Sequence, residues 1–204
     1  MNTSVQLICQ QTLPGRALTQ EQRLAWLQEL LSGQPDTLAY RVAGVLLLLY
    51  AQPLTKIAAL PVEAVTSTSD QTRILLGQEP IPVPQPFADM LNAHAGDRPN
   101  LTTAGGLEAT PWLFPSRRPG RHLGPQVIMA RLGGLGIDLL GALNTALQSL
   151  VAEAPPPVIA ELLGYSYNSA QRHAEIAAQP WASYVMSRQP LQLRPGPPPP
   201  RSTW

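Results

Sequence analysis

Arg117, Arg118 and Arg121 stand close together in one turn, Ser116-Arg117-Arg118-Pro119-Gly120-Arg121-His122. Guanidinium groups at such spacing can grip a phosphate backbone, because each carries a fixed charge and a fork of donors. A solvated loop has the same composition. Two further stretches carry reactive groups. Leu162-Leu163-Gly164-Tyr165-Ser166 reads as a helix end whose glycine turns the chain and presents a phenol. An ordinary glycine C-cap reads the same way. Arg172-His173 follow on the next helix, where alone they would be surface residues.

Other chemistries find no support. The three histidines, His94, His122 and His173, are scattered singly, and Cys9 is the one cysteine. Neither a disulfide within the chain nor a cysteine-based metal site can be built from that set. The P-loop, Gly-x-Ser-x-Gly and His-Glu-x-x-His patterns do not occur, and Gly133-Gly134-x-Gly136 lies within or after a helix rather than after a strand. No cofactor and no metal are expected.

The 204 residues suit one domain of moderate size. Apolar residues make up 44%, enough for a core, and charged residues only 13%. Fourteen basic residues against 13 acidic ones give a net charge of +1, so overall charge argues neither for nor against nucleic acid. Of the basic residues only Lys56 is lysine, a bias that GC-rich coding explains as well as phosphate contact does. The start lacks a basic segment followed by an apolar one, so no signal peptide is expected. The apolar run 43–51 is far shorter than the roughly 20 residues of a membrane span. The expectation is a cytoplasmic protein off the membrane.

The elements that must position these groups centre on Asp36 to Glu63, which holds the apolar run Val45 to Tyr50. Asp36-Thr37 starts a helix and Pro53 stops it; a short helix over 54–60 follows, ended by Pro61. Before it, Thr19 and Gln22 form a capping box for a helix over 18–32, closed by Gly33. Residues 62–84 alternate and carry Pro80, Pro82 and Pro84, which predicts a hairpin or three-stranded sheet with the prolines at an edge. Helices are expected over 86–95, 125–135, 137–153 and 156–163, then over 169–178 with Asn168 as cap, and over 181–188. Residues 1–16 read as an irregular start, 96–110 as a polar loop, and Trp112 to Pro115 as a short buried anchor. The result is a mainly α chain with a small antiparallel β-hairpin or sheet. Its parts are an N-terminal helical segment (1–35), a central domain (36–188) and a disordered Pro-rich tail (189–204).

In this order, LLLLYAQPLTKIAAL, the hairpin around Gly77, WLFPSRRPGRHL, the helix 125–135, IAELLGYS and a closing helix resemble the catalytic domain of tyrosine recombinases, the phage-integrase family, in its divergent actinobacterial recombinase-like form. The resemblance runs from about residue 36 to about residue 188. It implies that family's α+β catalytic-domain fold. It also implies a chemistry in which a tyrosine attacks a DNA phosphodiester, two arginines clamp the phosphate, and His and Lys move protons without a metal.

The reactive positions are not retained. The first arginine position falls on Pro53 and the acidic position after it on Lys56. The His-x-x-Arg box falls near Gly141-Ala142-Leu143-Asn144, the histidine of Leu-Leu-Gly-His on Tyr165, and the nucleophile near Ala174. No catalytic residue is therefore assigned.

The expected function is a DNA-binding protein of the recombinase family, catalytically degenerate, that binds duplex DNA and a recombinase partner or a second copy of itself. Arg41, Lys56, Arg73, Arg117, Arg118, Arg121 and Arg172 are its candidate DNA contacts. If they share one concave face, DNA is favoured. If they scatter, the alternative is favoured, a helical protein-interaction module without a nucleic-acid role. A third reading keeps strand cleavage in a rearranged site using Tyr184 or Tyr165 with Arg172 and His173.

Overall fold

Helix α2 (Leu38–Tyr50) is apolar nearly all round, and other elements cover it nearly all round. Every side chain from Val42 to Leu48 is buried. The computed structural model describes residues 18–99 and 110–187, with side chains described through residue 178. The expected irregular start at 1–16, most of the loop 96–110 and the tail 189–204 lie outside the described residues. Within them the chain is mainly helical, with eight α-helices and one small antiparallel sheet.

Around α2 pack α1 (Gln20–Ser32), α3 (Leu54–Ala58), α4 (Phe87–Gly96), α5 (Pro125–Gly134) and α6 (Leu139–Glu153). Residues 18–35 belong to the same core as the rest. Leu27 and Leu30 of α1 are buried with α2, and the buried Arg23 donates to the Leu48 carbonyl at 2.9 Å. The capping box of α1 forms as its sequence predicts, with Gln22 N–H on the Thr19 hydroxyl and Thr19 N–H on the Gln22 side chain. Gly33 closes the helix in extended backbone, φ −73°, rather than in a left-handed turn.

The end of α2 differs from expectation. The helix stops at Ala51, which adopts the left-handed conformation, φ 54°, two residues before Pro53. Gln52 N–H then reaches back to the Leu46 carbonyl at 3.2 Å, the hydrogen bond of a glycine-type C-cap. Alanine is a poor residue for this turn. What holds it is distant: the Tyr165 hydroxyl donates to the Ala51 carbonyl.

After a single 3-10 turn at Val62–Ala64, strands β1 (Val65–Ser67), β2 (Thr72–Leu75) and β3 (Pro80–Pro82) form one antiparallel sheet in that order. Ile74 opposes Val65 on one side and Ile81 on the other and is fully buried. The prolines of β3 stand at the sheet edge, where the missing N–H groups cost no ladder bonds.

Helix α7 (Pro156–Leu163) ends at Gly164, φ 68°, as expected of a glycine stop. Helix α8 (Tyr167–Ser187) corrects two expectations. It is capped by Ser166, whose hydroxyl accepts the Ser169 N–H at 3.2 Å, and not by Asn168. It also runs through Pro180 without a break, where two helices were expected. No single helix among the described residues is long and apolar enough to cross a membrane.

Candidate nucleic-acid interface

The basic turn is built on a buried base. Leu113 and Phe114 are fully covered, and Leu113 N–H donates to the Leu60 carbonyl at 2.8 Å, pinning the strand-like segment to the end of α3. Trp112, expected as part of the buried anchor, is only half-buried. Its indole N–H donates to the Gly120 carbonyl at 3.1 Å, and its ring meets His122 edge-on at 5.2 Å. The turn closes on itself as well. Ser116 N–H donates to the Arg121 carbonyl at 2.9 Å, Pro115 and His122 form an antiparallel bridge, and Gly120 supplies a left-handed residue, φ 70°.

A loop so tied presents its arginines outward. Arg117, Arg118 and Arg121, with His122, line a cavity of about 550 Å³ at the start of α5. Among the described residues no carboxylate lines it. None of the three arginines makes a side-chain hydrogen bond or ion pair among the described residues. Three exposed, unspent guanidinium groups around one concavity can hold phosphate oxygens, and backbone amides at a helix start add to the pull on an anion.

The other four candidate contacts are placed elsewhere. Arg41 is half-buried and donates to the Leu30 and Leu31 carbonyls at 2.8 and 2.9 Å, capping the last turn of α1. Lys56 lines a separate cavity of about 660 Å³ with Gln52, Leu76 and Gly77. Its ammonium donates to the Gly164 carbonyl and stands 5.4 Å from the centre of the Tyr165 ring, and burial lowers its pKa. Arg73 is exposed on β2, on the side opposite the buried Thr72 and Ile74. Arg172 is exposed on α8. The seven thus do not share one cavity.

One residue and one contact escaped the sequence reading. Arg131 lies one turn beyond Val127 on α5, with its guanidinium 5.1 Å from the centre of the Tyr40 ring and 3.9 Å from the Asp36 carboxylate. The four-residue spacing from Val127 was the available signal. The Trp112–His122 contact had none, because it depends on how the turn folds back.

The groups of the rearranged-site reading are engaged or lie apart. The Tyr165 hydroxyl is held by the Ala51 carbonyl, and burial pushes its pKa well above the usual phenol value. His173 is half-buried, and burial and the neighbouring Arg172 charge lower its pKa. The Tyr184 side chain lies outside the described residues. No group of three or more potential metal ligands gathers among the described residues. Compared with protein-family models and with curated proteins, the chain matches none.

Proposed function

We propose that this chain is a DNA-binding protein of the tyrosine-recombinase, phage-integrase type whose domain has lost strand-cleaving chemistry. Its part is contact with duplex DNA and assembly with a recombinase partner or a second copy. The observation that carries the DNA reading is the triplet Arg117, Arg118 and Arg121, without a side-chain partner among the described residues, around one cavity that no described carboxylate lines. The order of elements supports the family: apolar helix, proline corner, small sheet, Leu-Phe-Pro-Ser segment with its arginine turn, and a glycine-ended helix before the last one. Where the family places its phosphate-clamping arginine, this chain has Pro53.

The scatter of Arg41, Lys56, Arg73 and Arg172 counts against a broad DNA-binding face and favours the helical interaction module. What is left to the DNA reading is a contact of three residues. The module reading has an observation of its own. An apolar cavity of about 420 Å³ lies between α2–α3 and α5–α6, beside Met129 and Leu140, which are 51% and 55% exposed.

An electrophoretic shift with duplex DNA across a salt series separates the two. The DNA reading expects a complex whose affinity falls linearly in log–log form as salt rises. A shift no greater than that of a neutral control protein, with no salt dependence, ends it and leaves the interaction module.

A further inference from the structure

A second cavity, of about 410 Å³, adjoins the arginine turn. It shares Arg117, Leu123 and Val127 with the basic cavity, and its walls are otherwise mostly apolar and aromatic, with Tyr40, Phe114 and Pro115 among them. Its polar groups are few. Thr37 stands at the start of α2 and makes no side-chain cap. The Tyr40 hydroxyl has no hydrogen-bond partner among the described residues. Arg117 is the one charged residue in the lining among the described residues. The nearby Asp36 carboxylate faces Arg131, which also lies over Tyr40. An enclosed apolar site with a few convergent polar groups binds a flat, weakly polar body. The neighbouring arginines bind an anion.

We infer that the two cavities together hold one nucleotide, with its phosphate among Arg117, Arg118 and Arg121 and its unpaired base against the half-exposed Tyr40 ring. This rests on the DNA reading above and sharpens it. Contact with the backbone alone is blind to base pairing, whereas a base pocket selects DNA that carries an extrahelical base. Such a base is cheaper to capture because it has no pairing partner to leave.

The test uses the full chain and three labelled duplexes of equal length in fluorescence anisotropy. One is fully paired, one carries a single bulged adenine, and one carries a bulged abasic site. The bulged adenine should bind about tenfold tighter than the other two, the scale of one base stacked on an aromatic wall. Val127→Trp, at a side chain 43% exposed, fills the mouth of the cavity and should abolish that preference. Equal affinity for the adenine and abasic bulges overturns the base pocket while leaving salt-dependent duplex binding standing. A preference that survives Val127→Trp also overturns it. No salt-dependent binding of any duplex removes the DNA reading and the pocket with it.

Discussion

The ammonium of Lys56 donates to the carbonyl of Gly164, 108 residues further along the chain. The contact ties the short helix after the proline corner to the glycine that ends α7. Around it the packing is tight. Gln52 donates to the Leu163 carbonyl at 3.1 Å, and Gln78 N–H to the Glu161 carbonyl at 2.9 Å. The turn between β2 and β3 thereby docks on the last turn of α7. The three contacts hold α3, the β2–β3 turn and the end of α7 together.

Gly77 is the point of closest approach in that junction. A Cβ there would stand 2.0 Å from the Glu161 carbonyl oxygen and 2.6 Å from the Gly164 amide nitrogen, both backbone atoms that cannot swing aside. Gly77→Ala should destabilise the fold by about 3 kcal/mol, at the upper end of overpacking costs. Urea unfolding reads this as a lower midpoint at unchanged slope. An unchanged midpoint would mean that the sheet turn does not dock on α7.

The parts of the fold that were legible in the sequence are those whose causes are local. The Thr19–Gln22 capping box, the glycine stop at Gly164 and the edge prolines of β3 each depend on neighbours within a few residues. The parts that were not legible have distant causes. Ala51 takes a left-handed turn that alanine disfavours because Tyr165, 114 residues away, holds its carbonyl. Arg41 reads as a free cation until the last carbonyls of α1 are folded against it. The arginine turn was visible as a cluster. That it adjoins an apolar cavity was not, since Thr37 and Tyr40 reach it only through the packing of α2 beside α5.

His94 makes stability depend on pH. It is fully buried, its ring centre lies 5.0 Å from that of Phe114, and neither ring nitrogen has a partner in hydrogen-bonding geometry among the described residues. Burial lowers its pKa from 6.5 to about 4, with the Arg98 charge adding to the shift and the Leu113 backbone and Asp97 opposing it. The unfolded chain therefore binds more protons between these values, so stability falls as pH drops from about 6.5 to about 4. The full loss is about 3 kcal/mol, from the size of the shift. His94→Phe should flatten this part of the pH profile of the unfolding midpoint. A slope identical to that of the native chain would place the titration elsewhere.

Arg117, Arg118 and Arg121 are exposed and have no side-chain partner among the described residues, so replacing all three with alanine should leave the unfolding midpoint nearly unchanged. Duplex affinity should fall steeply at low salt. Each lost phosphate contact removes about 0.9 from the slope of log affinity against log salt, so the slope should shrink by up to about 3. Arg41→Ala should behave in the opposite way, lowering stability through the lost cap on α1 and leaving the salt slope alone. If Arg41→Ala changes the slope as much as an arginine of the turn does, the contact surface extends beyond the turn.

Tyr165 is the described tyrosine of the rearranged cleavage site, and its surroundings work against a nucleophilic role. A phenol attacks phosphorus only if it can lose its proton. This one donates its hydrogen bond to the Ala51 carbonyl, and burial raises its pKa. Among the described residues its hydroxyl meets a carbonyl rather than a base. Lys56, beside the ring, already donates to Gly164 and is a cation, not an acceptor. A nicked suicide duplex should therefore give no covalent adduct with the native chain. Tyr165→Phe should instead act on the fold. It leaves the Ala51 carbonyl without its donor and should lower stability by about 1 kcal/mol, the net worth of one such hydrogen bond. The two readouts are independent. An adduct on the native chain that Tyr165→Phe abolishes would restore cleavage to this position, whatever happened to stability. A stability loss without any adduct fixes Tyr165 as the residue that holds the left-handed turn at the end of α2.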